Sequence, residues 1–113
     1  MPFVIDQKPT YKWKVVVKIN KDGEVTQEIF TAHFKNISQS RFREMVKMVE
    51  EKQIDEIDVT KEVLIGWEDM EAADGSEVPF NKNTLLQLLE VRGFATAVGF
   101  AFMESNEEIF VKN

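Results

Sequence analysis

Leu64-Ile65-Gly66-Trp67-Glu68-Asp69-Met70, then the acidic reversal from Glu71 to Glu77, then Val78-Pro79-Phe80-Asn81 and the run Leu85, Leu86, Leu88, Leu89, decides how this chain folds. Asn81 is a good helix N-cap after Pro79. It puts Phe80 at N′ and Leu85 at N4, the two positions of a hydrophobic staple. Val63, Leu64, Trp67 and Met70 follow an apolar helical pattern, with Trp67 near its end. Between the two aromatic residues stands Asp74-Gly75, a strong turn dipeptide, so the chain reverses and brings Trp67 and Phe80 together. The expectation is an aromatic clasp at the junction of two helices.

Working outward toward the N-terminus, Tyr11, Trp13, Val15, Val17 and Ile19 alternate with Lys12, Lys14, Val16 and Lys18. This period of two predicts a half-buried strand. Asn20-Lys21-Asp22-Gly23 supplies turn chemistry, and a second strand follows to Phe34, giving a hairpin over about 11–34. Val25 and Ile29 are odd-numbered, whereas Phe30, Ala32 and Phe34 are even. A one-residue slip exchanges the faces of a strand, which predicts a bulge near Glu28 to Phe30. Lys12, Lys14 and Lys18 share one face, with Glu24 or Glu28 expected opposite. That face reads either as a solvated guard against edge pairing or as a docking stripe. A lone hairpin is marginal in water, so helices must cover its Tyr11/Trp13/Val15 side.

Ser38 or Ser40 can cap the next helix, expected from about Ser40 to Lys52 on the spacing of Phe42, Met45, Val46 and Val49. A second helix begins near Asp58 or Thr60, and a third spans 81–91, with Gly93 as a left-handed C′ residue. Phe94, Ala97, Val98, Ala101 and Phe102 outline a fourth. Its small residues Ala95, Ala97, Gly99 and Ala101 allow close approach, for the core or for a partner. The tail 106–113 reads as a short strand or a frayed end. The fold class expected is α+β: one domain over 1–113, an N-terminal antiparallel hairpin or small sheet packed against about four helices, the helical part at about 38–105.

Charge narrows the functions. The net charge is −6, from 20 acidic and 14 basic residues. Residues 55–77 carry nine acidic side chains against Lys61 alone, whereas residues 1–54 are net positive. An acidic centre repels phosphate backbones and argues against nucleic acid as a partner. Cysteine is absent, so there are no disulfides, thiolate metal sites or cysteine nucleophiles, and a reducing cytoplasm suits the chain. The start Met-Pro-Phe-Val-Ile-Asp lacks the pattern of a signal peptide. The longest charge-free apolar run, Gly93 to Met103, is well short of the ~20 residues of a membrane span.

Chemistry is hard to place. His33 is the only histidine and sits in a strand, with no nucleophile elbow to serve. Asp69, Glu71, Asp74 and Glu77 flank a glycine turn. With Gly75 as the sixth residue of a calcium loop, however, positions one and three fall on Met70 and Ala72, which cannot ligate through their side chains. The same carboxylates lack the cleft of a glycosidase pair. No phosphate loop or dinucleotide fingerprint occurs. No catalytic, cofactor or metal residue is assigned, and an enzyme is not expected. Trp67 and Phe80 carry two readings: core, or binding hot spots rimmed by Glu68, Asp69 and Glu71.

Gly66-Trp67-Glu68, the acidic Asp-Gly stretch, Val78-Pro79-Phe80-Asn81 and the Leu-rich helix together resemble the small tail assembly chaperones of long-tailed bacteriophages and prophages. Phe34-Lys35-Asn36-Ile37-Ser38-Gln39-Ser40, joining strand to helix, is similar to that family as well. The matched residues are Phe34, Ser38, Trp67, Glu68, Pro79, Phe80 and Leu85. The resemblance implies a non-enzymatic protein of the host bacterial cytoplasm, without cofactors, that binds and solubilises the tape-measure protein while the tail is built. It implies a tail-tube partner as well, reached through a longer, frameshifted form, and leaves homo-oligomerisation open. Neither nucleic acid nor membrane is an expected partner. The competing expectation is a small bacterial adaptor or regulatory domain unrelated to tails.

Overall fold

The computed structural model describes residues 2–3, 5 and 8–111. The fold is α+β, a three-stranded antiparallel sheet built on an N-terminal hairpin and packed against four helices. In chain order the elements are β1 (Thr10–Lys21), β2 (Glu24–Lys35), α1 (Gln39–Glu50), α2 (Glu56–Val63), β3 (Leu64–Glu68), α3 (Lys82–Leu89) and α4 (Phe94–Val111). The sheet order is β1-β2-β3.

The alternation in β1 does what period-two patterning demands. Val15 and Val17 are buried, Tyr11, Trp13 and Ile19 are half-buried, and the lysines between them face away. β1 and β2 pair without interruption from Thr10↔Lys35 to Lys21↔Glu24, so the bulge expected at Glu28–Phe30 is not there. The odd-numbered apolar residues of β2 lie instead on the open face, where Ile29 pairs with Val16. The lysine stripe is also partnered differently from expectation. Lys14 faces Thr31 and Lys18 faces Gln27, while Lys12 reaches across to Glu68 of β3 at 2.6 Å. Glu28 is bound by Lys21 at 2.8 Å.

The largest correction concerns Leu64–Glu68, a strand and not the second half of a helix. The reason lies in a bulge between β2 and β3. Phe34 pairs with Leu64 and Ala32 with Trp67, so two steps along β2 match three along β3. Leu64 and Trp67 therefore both reach the core although they are three residues apart, a spacing that imitates a helix face. Gly66 sits at this irregularity, and a Cβ there would lie 3.0 Å from His33 Nδ1.

Helix ends follow local chemistry. Ser38, not Ser40, caps α1, its Oγ accepting from Arg41 N at 3.1 Å. The helix stops in a Schellman motif in which Lys52, at φ 59°, donates to Val49 O and Gln53 N donates to Met48 O. Asp55 and Asp58 form a reciprocal capping box, which starts α2 at Glu56, earlier than Asp58 or Thr60. Gly93 is left-handed at φ 92°, but α3 has already ended at Leu89. Gly93 O accepts from Ala97 N, so this glycine opens α4 rather than closing α3. α4 continues as helix to Val111, in place of the strand or frayed end expected for 106–113; residues 112–113 of that tail lie outside the described residues.

The core lies between the sheet and the helices. Phe34, fully buried, stacks tilted on Tyr11 at 5.8 Å and edge-on to Phe102 at 5.3 Å, and Phe42 of α1 reaches Phe102 at 6.2 Å. Where this cluster needs polar closure, Ser105 Oγ donates to Phe102 O, leaving the Tyr11 hydroxyl to donate to Ser105 at 2.7 Å. Burial pushes the Tyr11 hydroxyl pKa up, against the pull of the Ser105 and Asn106 hydrogen bonds.

α1 is tied to α2 by Arg41, whose guanidinium grips both carboxylate oxygens of Glu62, with Nε to Oε2 at 2.7 Å, and also bonds Glu44. These hydrogen bonds hold the Glu62 carboxyl below its ordinary value of 4.5, against the opposing effect of burial. A depressed folded-state pKa contributes stability that is present above about pH 4.5 and lost as pH falls through the folded value. The urea midpoint of Glu62→Gln is therefore expected to lie below wild type at pH 7. The gap should close in acid, where the protonated carboxyl resembles the amide.

Candidate functional site

The stretch that decides the fold also supplies the most elaborate surface. After Glu68 the backbone turns at Asp69, a non-glycine residue at φ 63°, and leaves the sheet. Glu71 then bridges Glu77, Ala72 N donates to Ser76 O at 2.8 Å, and Gly75 takes the tip at φ 86°. Asp74 Oδ1 accepts from both Ser76 Oγ and Ser76 N, which hold its carboxyl below the usual carboxylate range. The reversal is thus held by hydrogen bonds within itself.

The return strand brings Val78 beneath Trp67, whose Nε1–H donates to Val78 O at 2.8 Å. The Trp67 and Phe80 rings meet edge-on at 4.7 Å and 79°. The two aromatics are unequal: Trp67 is 8% exposed and Phe80 36%. Asn81 and Thr84 then exchange capping bonds at 2.9 and 3.0 Å, and Thr84 Oγ1 donates to Pro79 O at 2.7 Å. Leu85 follows at N4, half-buried against the core.

Glu68 lies elsewhere, on the open face of the sheet. Its Oε1 is shared by Lys12 Nζ and His33 Nε2, at 2.6 and 2.7 Å, and these two hydrogen bonds lower its pKa. Phe34 is in the core and Ser38 is a helix cap. The structure therefore brings Trp67, Pro79, Phe80 and Leu85 into one assembly, and leaves Glu68, Phe34 and Ser38 apart from it. Among the described residues, no three His, Asp or Glu side chains converge as a metal site would require, and no single helix is long and apolar enough to cross a membrane.

A surface that periodicity did not single out lies on the helical side. Val49 of α1, Glu56 and Val59 of α2, and Thr96, Gly99, Phe100 and Met103 of α4 enclose a cleft of about 280 Å³. At Gly99 α4 packs on α2, where a Cβ would meet Glu56 Cβ at 3.6 Å, an ordinary van der Waals contact. Phe100 stands over the cleft 69% exposed. The signal in the sequence was negative: Phe100 falls off the Phe94/Val98/Ala101/Phe102 stripe that fills the core.

No protein-family model matches this chain, no curated protein matches its sequence, and no solved structure matches its fold.

Proposed function

We propose that this protein is a non-enzymatic tail assembly chaperone of a long-tailed bacteriophage or prophage, which holds the tape-measure protein in solution in the host cytoplasm. The observation that carries the reading is Phe100, a large aromatic left in solvent on α4 beside the Val49/Val59/Met103 cleft. An apolar cleft between helices, with an exposed aromatic at its lip, suits the apolar stripe of a client helix. The net charge of −6 favours solubility of the complex. The motif residues support the same reading through the sequence resemblance, with Trp67 and Phe80 bracing α3 and not facing the client.

Co-expression with the tape-measure protein of the same genome tests the proposal. The chain is expected to raise the soluble fraction of that protein, and Phe100→Glu to abolish most of the gain. Because Phe100 is exposed, the substitution should change stability by no more than about 0.5 kcal/mol. An unchanged soluble fraction with the wild-type chain overturns the proposal.

A further inference from the structure

β2 runs from Glu24 to Lys35, yet β3 accompanies it only from Thr31 to Phe34. Along 24–30, the backbone groups directed away from β1 have no strand partner among the described residues. The gap arises because Asp69 turns the chain off the sheet. Between this bare edge and residues 69–73 a cleft of about 520 Å³ opens. Its floor is apolar: Val17, Ile19, Leu88, Val91 and the stacked rings of Phe30 and Phe94, 5.7 Å apart.

We propose that this cleft binds an extended segment of a partner protein in which apolar residues alternate with Lys or Arg, added along 24–30 as a further strand. Three features select that occupant. The unpaired backbone edge requires an extended chain, since only a strand offers N–H and C=O groups at the matching repeat. Alternate side chains of such a strand point to one face, and on the core side they meet the apolar floor. The remaining side chains point to the open face, where Lys14 and Lys18 of β1 lie one strand away beyond β2 and the nearer charge is Asp69. Thr31, on that face, donates to Asp69 Oδ2 at 3.0 Å, which places the carboxylate beside the outward residues of the added strand. Of the four charged side chains lining the cleft, Lys21 and Glu28 bind each other, leaving Asp69 and Glu71 to set its sign. This surface is separate from the Phe100 cleft, and the inference goes beyond the chaperone reading.

Titration of the full chain with capped eight-residue peptides, followed by backbone amide NMR, tests it. A peptide alternating Val and Lys is expected to shift the amides of 27–30 and 69–72. A Val/Glu peptide should bind roughly tenfold more weakly or worse at low salt. N-methylation of alternate Val/Lys residues, which removes the edge hydrogen bonds without removing charge, should abolish the shifts. Glu71→Lys, on an exposed loop, should weaken Val/Lys binding, while Phe100→Glu leaves it intact and so separates this site from the client cleft. No shift at about 1 mM peptide, equal binding of the Val/Lys and Val/Glu peptides, undiminished binding of the N-methylated peptide, or peptide-independent self-association through 24–30 would each overturn the proposal.

Discussion

Trp67→Ala is expected to lower the free energy of unfolding by about 3–5 kcal/mol, a large part of the roughly 5–15 kcal/mol a domain of this kind possesses. The indole is 8% exposed, so its removal opens a cavity beneath the return strand. It also leaves Val78 O without the Nε1–H that it accepts at 2.8 Å. Two companion variants separate these contributions. Trp67→Phe keeps most of the apolar volume and should cost about 1–3 kcal/mol, chiefly through the unpaired carbonyl. Phe80→Ala removes a ring that is already 36% exposed, so its edge-on pairing with Trp67, about 0.5–1.5 kcal/mol, sets the scale of the loss. Urea unfolding followed by far-UV circular dichroism measures all three. The ranking Trp67→Ala, then Trp67→Phe, then Phe80→Ala is the expected result. Hydrogen exchange at Val78, whose N–H donates to Met70 O, should accelerate in Trp67→Ala before the sheet amides follow.

The clasp itself was legible because its signals are local. An N-cap after Pro79, Asp74-Gly75 at the tip and aromatics on either side act within a few residues of one another. The hairpin was legible for the same reason, with strict alternation from Tyr11 to Ile19 and a turn beside Gly23. Leu64–Glu68 was not, because the element is defined by its partner. Only the pairing of Phe34 with Leu64 and of Ala32 with Trp67 shows that an i, i+3 spacing belongs to a bulged strand. Likewise Val25 and Ile29 looked like evidence of a slip in β2, when they simply lie on a face that no helix covers. Glu68 found Lys12 and His33 across the sheet for the same non-local reason, whereas Glu24 and Glu28 were nearer in sequence. The two clefts follow this pattern: each depends on where two elements stop accompanying each other, and neither end point is written in periodicity.

The second large effect is expected at Phe102, and its neighbour two residues earlier makes the control. Phe102 is fully buried, edge-on to Phe34 at 5.3 Å and within 6.2 Å of Phe42, so it joins β2, α1 and α4 in one aromatic cluster. Phe102→Ala should cost about 3–5 kcal/mol by cavity formation, measured by the same urea transitions. Phe100→Ala removes the same atoms from the same helix, yet its ring is 69% exposed, and the change should stay within about 0.5 kcal/mol. Composition cannot distinguish these two phenylalanines, since α4 is rich in apolar residues on more than one side. Packing against Val59 and Phe34 fixes which side faces the core and leaves the Phe100 side exposed. The Phe100 ring, whose loss should cost the fold almost nothing, leaves its apolar surface in water beside the cleft. Measuring both variants separates the helix face that builds the protein from the face that it leaves in solvent.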